Sequence, residues 1–295
     1  MKNLLFLFVF FFFQNGFSQQ TEFLKIRQYK VAELSDSIRE TSGLHFFKNK
    51  LYTFNDSGNT SEIFEIDKNS GKILNVIKTN LQNKDWEAMT SDSGTIYIGD
   101  FGNNAGARKD LKIYRINLDS LVGTSNANHD AQVISFYYPE QTDFKPKNIN
   151  NDFDAEAMVF LNGKIHLFTK EWVSRKTTHY IIDPEVSDQQ PARKIENFQI
   201  DFAVTDASYF DGKLYLVGYT KKTEVFLSIF TETETGIFFT EKPKKYYLGS
   251  SMSIGQIEGI AVNGDGIYIS GEEFRTPFGK IKQCFYFVPN DDIRP

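Results

Sequence analysis

Short apolar segments alternate with polar turns along the whole chain, and the pattern repeats about every fifty residues. In each repeat an apolar strand precedes a polar turn, most often with Asn, Asp or Gly, and a second segment then begins with Ile or Leu. Such turns between apolar runs favour β-hairpins, because Asn and Gly tolerate positive φ. The sequence therefore predicts five hairpins, with turns at residues 48–50, 92–94, 162–164, 211–213 and 263–266.

A third apolar segment follows every hairpin, and a fourth follows four of them. The third segments are residues 63–66, 112–116, 179–182, 226–230 and 284–288, and the fourth are residues 73–77, 133–138, 192–198 and 245–248. Four short antiparallel strands per repeat are typical of a β-propeller. We therefore predict an all-β fold, a β-propeller of five four-stranded blades. Six blades are the alternative, if residues 118–131 and 141–152 are strands rather than loops.

The first strand of every repeat carries a polar residue followed by Gly or Ala, and the polar residue is acidic in four of the five copies. The copies are Ser42-Gly43-Leu44, Glu87-Ala88-Met89, Glu156-Ala157-Met158, Asp206-Ala207-Ser208 and Glu258-Gly259-Ile260. Inner strands crowd around the axis of a propeller, so small side chains are expected at their closest approach. The repeated phrase therefore predicts which strand of each blade lies beside the axis.

The two ends of the chain are predicted to close the ring. Residues 23–34 form a strand without a blade of its own, and the last repeat lacks a fourth strand. An open sheet edge invites aggregation, so closure is favoured. We predict that residues 23–34 pair with residues 284–288 as the outer strand of the last blade.

Residues 1–18 have the composition of a secretory signal peptide. Lys2 precedes an apolar run at residues 4–13, and Gly16-Phe17-Ser18 offers small residues for cleavage. The run is too short to span a bilayer stably. We predict that residues 19–295 form a single propeller domain without a membrane span, located in the periplasm or secreted. An uncleaved anchor is the alternative.

Composition and motifs narrow the function. The formal net charge of −5 disfavours a nucleic-acid partner. Cys284 is the one cysteine of the chain, so no internal disulfide is expected. No Ser/His/Asp arrangement, G-x-S-x-G motif or phosphate loop is present, which disfavours nucleophilic catalysis.

Carboxylates are predicted to gather at one end of the propeller axis. The loop that leads into the first strand and the loop that leaves the second strand open on the same face, and both carry acidic residues. Crowded carboxylates repel one another and favour a cation, and oxygen-rich surroundings favour Ca²⁺. The predicted metal ligands are Glu87, Glu156, Asp206 and Glu258. In the alternative, each carboxylate accepts backbone N–H bonds and staples neighbouring blades.

Loops on the same face supply candidate ligand-binding residues. The segment 100–104 joins polar residues around a glycine, and the segment 170–172 combines a cation, an acid and an indole. The predicted ligand-binding set is Asp56, Asp100, Asn103, Asn104, Arg108, Lys170, Glu171, Trp172 and Glu272. An Asx-rich turn without a ligand is the alternative for the first segment, and packing of Trp172 on the next blade is the alternative for the second.

Several phrases of the chain resemble those of a family of exported, largely uncharacterised propellers from Bacteroidetes-type bacteria. The phrases are Asp85-Trp86-Glu87-Ala88-Met89, Asp100-Phe101-Gly102-Asn103-Asn104, Asp154-Ala155-Glu156-Ala157-Met158 and Gln256-Ile257-Glu258-Gly259-Ile260. More distantly, the Glu-Gly-Ile repeat resembles phytase-like, NHL and gluconolactonase-type propellers. That resemblance implies an axial divalent ion and, in some members, hydrolysis of phosphate esters or lactones. Here the slots are acidic without Asn, which departs from the lactonase pattern.

The sequence thus predicts an exported propeller whose acidic face binds a divalent cation, a small polar ligand or a protein partner. The alternative is a metal-dependent hydrolase of an ester, a lactone or a phosphate ester. The sequence leaves open whether the protein is an enzyme.

Overall fold

Five antiparallel sheets surround a common axis in the computed structural model, which describes residues 21–117, 131–276 and 279–293. Each sheet is a blade of four antiparallel strands, and the inner strand of every blade contacts the inner strands of the two adjacent blades. The prediction of a five-bladed β-propeller is therefore confirmed. The predicted signal peptide, residues 1–18, lies outside the described residues, as does most of the predicted loop 118–131.

The strands are numbered along the chain, and β1 (Thr21–Phe23) and β2 (Lys30–Glu33) precede the first blade. Blade 1 contains β3 (Thr41–Phe47), β4 (Lys50–Asn55), β5 (Glu62–Ile66) and β6 (Ile73–Lys78). Blade 2 contains β7 (Trp86–Ser91), β8 (Thr95–Asp100), β9 (Lys112–Asn117) and β10 (Gln132–Tyr137). Blade 3 contains β11 (Ala155–Leu161), β12 (Lys164–Thr169), β13 (Thr177–Ile182) and β15 (Arg193–Phe198). The short β14 (Gln190–Pro191) pairs in parallel with β10 and so joins blade 3 to blade 2.

Blade 4 contains β16 (Ala203–Phe210), β17 (Lys213–Tyr219), β18 (Glu224–Thr231) and β19 (Lys244–Ser250). One turn of helix, α1 (Ser251–Ile254), leads into blade 5. Blade 5 contains β20 (Gln256–Val262), β21 (Gly266–Glu272), β24 (Cys284–Pro289) and, at its outer edge, β2. A small hairpin of β22 (Phe274–Thr276) and β23 (Gly279–Ile281) extends from it. Within the described ranges, 3-10 helices cover Ile26–Tyr29, Asp36–Ile38 and Asn290–Asp292. No helix among the described residues is long and apolar enough to cross a membrane.

The hairpin turns have the backbone conformation that their residues favour. Asn162 and Gly163 have φ of 52° and 74°, and Asp211 and Gly212 have φ of 50° and 70°. Two consecutive residues with positive φ match the right-handed twist of the flanking strands. These turns therefore fix the register of the inner hairpins in blades 3 and 4.

The N-terminal segment closes the ring, but not as one strand. β2 pairs antiparallel with β24 and supplies the missing outer strand of blade 5. β1 instead pairs in parallel with β19 and adds a fifth strand to blade 4. Between them the chain turns through a 3-10 helix and buries Leu24 and Ile26 in the apolar cluster between blades 4 and 5. The prediction of one strand over residues 23–34 was wrong, because these buried side chains bend the chain from one blade to the next.

A β-bulge interrupts the inner strand of every blade near the repeated phrase. The bulged residues, which have no partner in the adjacent strand, are Gly43, Glu87, Glu156, Thr205 and Glu258. The alignment from sequence was therefore wrong by one residue in blades 1 and 4, where Ser42 and Asp206 flank the bulge. A bulge re-aims the side chain that it carries. The glutamates of blades 2, 3 and 5 share this conformation.

The inner strands approach closely where small residues were predicted. A Cβ at Gly259 would lie 2.9 Å from the Cβ of Leu44 in blade 1 and 2.2 Å from the Ser270 hydroxyl. A Cβ at Gly43 would lie 3.3 Å from the Cα of Ala88 in blade 2. Crowding at the axis is therefore confirmed, although the residue after the bulge is small only in blades 2, 3 and 5.

The apolar core consists of five layers, one between each pair of adjacent blades. Trp86, the largest fully buried side chain, packs edge-on against Phe54 between blades 1 and 2. Aromatic pairs of this kind add to the stabilisation from apolar area. Cys284 is buried in the layer between blades 4 and 5, as a small apolar side chain would be.

Two histidines form a buried pair in blade 3. The ring nitrogens Nδ1 of His166 and Nε2 of His179 lie 2.8 Å apart, and Nδ1 of His179 lies 3.1 Å from the Glu196 carboxylate. Phe238 packs on both rings. Burial lowers the pKa of His166 to about 4, and burial also lowers the pKa of His179 below its ordinary value. Both rings are therefore neutral at pH 7.

This pair makes the folded protein sensitive to acid. The unfolded chain takes up a proton at His166 near pH 6.5 and the folded chain only near pH 4, so stability falls as pH decreases between these values. For His166 alone we expect a loss on the order of 3 kcal/mol by pH 4. Denaturant unfolding between pH 7 and pH 5 should show a shallower decline for His166→Gln than for wild type. Equal slopes would contradict the prediction.

Candidate functional site

Three bulged glutamates converge at one end of the axis, where the second strands of the blades also end. Glu87, Glu156 and Glu258 are almost completely buried, and their carboxylates act on one another electrostatically. The ends of β12, β17 and β21 bring Lys170, Tyr219 and Glu272 to the same place. We call this group the acidic mouth; its residues are Asp56, Asp85, Glu87, Glu156, Lys170, Tyr219, Gln256, Glu258 and Glu272.

One half of the acidic mouth is held together by hydrogen bonds. The Lys170 ammonium donates to the Glu156 carboxylate at 2.5 Å and lies 3.4 Å from the Tyr219 hydroxyl. Burial alone would lower the pKa of Lys170, but Glu156, Tyr219, Glu258 and Asp154 together outweigh burial and raise that pKa well above its ordinary value. The Lys170 ammonium is therefore charged and acts as a counter-ion for the carboxylates around it.

Gln256 continues the hydrogen-bonded half in blade 5. Its side-chain nitrogen Nε2 donates to Glu258 at 2.7 Å and to Glu272 at 2.6 Å. Gln256 faces Glu272 directly in the register of β20 and β21, so the backbone places the amide between the two acids. One neutral side chain thus links two carboxylates that would otherwise repel each other.

The other half of the acidic mouth is a carboxylate cluster with few donors. Oxygens of Asp56, Asp85 and Glu87 all lie within 4.8 Å of one another. Ser57 donates its backbone N–H to Asp56. Among the described residues, no donor lies within hydrogen-bond distance of the Glu87 carboxylate, although only 3% of Glu87 is exposed. Glu87 is therefore an almost completely buried acid whose carboxylate lies beside two other carboxylates.

The backbone of Gly102 forms the wall behind this cluster. A Cβ at position 102 would lie 2.1 Å from the Glu87 carboxylate and 2.5 Å from that of Asp85. Any side chain there would fill the space that the two carboxylates occupy. Glycine is therefore required for the loop after β8 to approach the cluster so closely.

Burial and mutual repulsion raise the pKa values of the cluster. Burial is the main cause that raises the pKa of Asp56 to about 7, and Asp85 and Glu258 add to it. Burial likewise raises the pKa of Glu87 well above its ordinary value, and the adjacent Asp56 and Glu156 raise it further. The pKa of Asp85 is also raised, chiefly by burial. Without a cation, these carboxylates cannot all be ionised at neutral pH.

Asp206, predicted as a metal ligand, serves a different purpose. Its carboxylate accepts backbone N–H bonds from Ala207, from Ile260 of blade 5 at 2.7 Å and from Leu44 of blade 1 at 3.2 Å. Asp206 therefore joins three blades across the axis, as in the stapling alternative. The reason is its position one residue after the bulge, which turns the side chain toward the adjacent strands.

The predicted ligand loop at residues 100–104 joins blades 2 and 3. Asp100 is fully buried and accepts from the Arg108 guanidinium at 2.8 Å. Asn103 donates its backbone N–H to Asp154 at 2.6 Å, and its side chain accepts from the backbone N–H of Arg108. The carbonyl oxygen of Asn104 accepts from residues 149 and 151. The loop positions Gly102 behind the carboxylate cluster, and it is held by the side chains of Asp100, Asn103, Arg108 and Asp154 and by the backbone carbonyl of Asn104.

The segment 170–172 is divided between two places. Lys170 lies in the acidic mouth, as described above. Glu171 turns away, because its carboxylate accepts from the hydroxyls of Thr169, Thr178 and Ser174. Trp172 lies outside the acidic mouth, in a groove between blades 3 and 4.

Three residues of the acidic mouth were not in the predicted set. Asp85 lies two residues before its glutamate, a spacing that the sequence shows. Gln256 has the same spacing in blade 5, but its amide is uncharged, so a search for acidic residues does not find it. Tyr219 ends β17 in the position that Lys170 and Glu272 occupy in their blades, and an alignment of the second strands would have found it.

Comparison with known proteins identifies no family, since no family model and no curated protein matches the chain. Among solved structures, hydrazine synthase from Kuenenia stuttgartiensis is 9% identical with a TM-score of 0.42, over 88% of this chain and 65% of that chain. A structure described as U3-55K is 9% identical with a TM-score of 0.39, over 84% and 68%. This chain thus spans slightly less than two thirds of the hydrazine synthase chain. The likenesses are too low to bear on ligand or activity, so the strand order defines the class: a five-bladed β-propeller with a carboxylate cluster at one end of its axis.

Proposed function

We propose that the acidic mouth binds a divalent cation, with Asp56, Asp85 and Glu87 as its protein ligands. The observation that carries the proposal is the buried Glu87 carboxylate, which has no donor in the described residues and lies within 4.8 Å of two other carboxylates. Repulsion within such a cluster is relieved when a cation replaces protons. Binding of a cation would therefore relieve this repulsion and lower the free energy of the folded protein.

Calcium suits the cluster better than the softer transition metals. The ligand atoms are carboxylate oxygens, without a thiolate or an imidazole, and hard cations prefer such oxygens. Three protein carboxylates leave positions for water or for oxygens of a ligand in a coordination sphere of about 6–8. A metal with positions open in this way is also what a metal-dependent hydrolase would need, and that alternative stays a prediction.

We propose further that the protein is exported and meets the cation outside the cytoplasm. The first eighteen residues have the composition of a signal peptide, and a secreted or periplasmic protein meets Ca²⁺ that weak sites can bind. Extracellular modules bind Ca²⁺ with Kd of about 10⁻⁴–10⁻³ M. The resemblance of the repeat phrases to exported propellers of Bacteroidetes-type bacteria agrees with this setting and belongs to the same proposal.

Thermal unfolding with and without Ca²⁺ tests the proposal. Ligands that bind only the folded state raise its stability by about 2.7 kcal/mol at one hundred times Kd, so Tm should rise with Ca²⁺ concentration. Wild type in EGTA and in Ca²⁺ from 0.1 to 10 mM, roughly the range about such a Kd, would be compared by calorimetry. We expect Asp56→Asn with Glu87→Gln to abolish the rise.

Asp206→Asn is the matched control, because Asp206 is an equally buried acid whose carboxylate is bound by backbone N–H groups. This variant should melt at a lower temperature than wild type but keep the rise in Tm with Ca²⁺. A wild-type Tm that does not depend on Ca²⁺, or an equal rise in the Asp56/Glu87 variant, would refute the site.

A further inference from the structure

A second cavity lies beside the acidic mouth, in the groove between blades 3 and 4. Its volume is about 400 Å³, within the usual range for small-ligand pockets. The loops that follow β12 and β17 and the segment before β16 form its walls. Tyr219 belongs to both places, since its ring lines the groove and its hydroxyl lies 3.4 Å from the Lys170 ammonium.

The floor of the groove is aromatic. Trp172, Phe202 and Tyr219 line it, and the rings of Trp172 and Tyr219 lie 6.4 Å apart. The indole N–H of Trp172 is buried without a hydrogen-bond partner and faces Asp154, whose pKa burial raises to about 6. The polar edge of the indole is therefore buried, and its ring lines the groove with the ammonium of Lys170 5.1 Å from the ring centroid. Val173, beside it, is 58% exposed and extends the apolar surface.

Three acids and three cations line the groove, and the acids accept hydrogen bonds from neighbouring side chains. Glu171 accepts three hydroxyl bonds, Asp201 accepts from Gln199 at 3.0 Å, and Glu224 accepts from Thr220 at 3.2 Å. The cations are Arg175, Lys221 and Lys222, and among the described residues no ion pair joins them to a carboxylate. The three acids keep their negative charge and the lining is formally neutral, so the three cations are the points at which the groove can contact an anionic group.

Lys221 occupies a particular place in this arrangement. Its exposed ammonium lies 5.6 Å from the centroid of the Trp172 ring, at the distance of a cation–π contact. A flat ligand stacked on the indole would bring an anionic substituent within reach of that ammonium. The groove thus combines an aromatic ring with an exposed, flexible cation above it.

We propose that this groove binds an acidic saccharide, a pyranose ring that carries a carboxylate. A pyranose has an apolar C–H face that packs on an aromatic ring, and its hydroxyls need hydrogen-bonding partners at the rim. The aromatic floor suits the C–H face, Thr220 and the three acids suit the hydroxyls, and the three cations suit the carboxylate. The argument uses no ion in the acidic mouth and stands independently of the proposed Ca²⁺ site.

Titration calorimetry with trigalacturonate, and with its methyl ester as the uncharged counterpart, tests this inference. The measurements are made in EGTA and repeated in Ca²⁺, so a failure of the cation site leaves the test intact. We expect saturable binding of trigalacturonate in both buffers and binding of the ester at least tenfold weaker. Binding should also change the emission of Trp172, since the other tryptophan, Trp86, is fully buried.

Variants identify the groove as the place of binding. Trp172→Ala should weaken binding at least tenfold, and Lys221→Ala with Lys222→Ala should remove the preference for the acid over the ester. The two lysines are exposed, so this variant is expected to fold normally. Lys213→Ala, an exposed lysine in the hairpin turn of the same blade, is the matched control and should bind like wild type. Absence of saturable binding, equal affinity for acid and ester, or unchanged affinity in both groove variants would overturn the proposal.

Discussion

Removal of residues 21–34 is expected to abolish the cooperative unfolding of the propeller. The truncation leaves β24 as an open edge and exposes the apolar layers that Leu24, Ile26 and Leu34 cover. Burial of each such side chain contributes about 1.5–3 kcal/mol, and the three together approach the whole stability of a typical domain. Urea unfolding followed by circular dichroism should show a broad, early transition in place of a single steep one.

A shorter truncation provides the matched control. Removal of residues 21–23 deletes only β1, whose Phe23 is 74% exposed, and leaves β2 in place. This variant should unfold within about 1 kcal/mol of wild type, since surface changes are usually small. A synthetic peptide of residues 24–36 added to the long truncation should restore part of the transition by strand addition. If the long truncation unfolds at the wild-type midpoint, β2 does not close the ring.

Replacement of Lys170 by methionine is expected to have the second largest effect. The ammonium of Lys170 and the carboxylate of Glu156 are 5% and 3% exposed, and they form a 2.5 Å ion pair. Removal of one partner of a buried pair leaves an uncompensated charge and costs about 3–5 kcal/mol. The cost arises here because the other groups around Glu156 include the carboxylates of Asp154 and Glu258.

The double variant separates charge from packing. Glu156→Gln in the Lys170→Met protein removes the stranded carboxylate at little change in volume, so most of the lost stability should return. Chemical unfolding of the wild type, the two single variants and the double variant gives the coupling free energy. A double variant that is no more stable than Lys170→Met would show that the loss comes from packing on Trp172 and Tyr219 rather than from charge.

Backbone conformation was largely predictable from the sequence, because its determinants are local. The Asn-Gly and Asp-Gly turns fix positive φ with two residues, and the apolar runs on either side are long enough for one strand each. The β-bulges were not predictable in the same way. Ser42-Gly43 and Asp206-Ala207 repeat the order of a polar and a small residue, yet in each of these blades the bulge lies one residue away from the predicted slot. A shift of one residue moves a side chain to the other face of a strand.

The partners of each acid were less predictable still. Asp100 and Asp56 both end or follow a second strand and look equivalent in the sequence. Asp100 pairs with Arg108 from its own loop, whereas Asp56 meets Asp85 and Glu87 from the next blade. The difference depends on how the loops of adjacent blades pass one another, which no local pattern encodes. The sequence therefore predicted that acids gather at one end of the axis, but it did not predict which of these acids contact one another.

Blade 5 combines a strand from the N-terminal segment with three strands near the end of the chain, and this determines the order in which the blades can form. Blades 1 to 4 each draw their four core strands from one continuous stretch of chain, so each can form from contacts that are short in sequence. Blade 5 pairs Ala32 with Phe285, and Gln283 donates a hydrogen bond to Leu34 across 249 residues. Contacts between residues so far apart in sequence form slowly, because the entropy of closing a long loop is lost before the contacts stabilise the fold. The ring is therefore completed only after nearly the whole chain has been made, and until then the edge strand β24 and the apolar layers beside it stay uncovered even if blades 1 to 4 have formed.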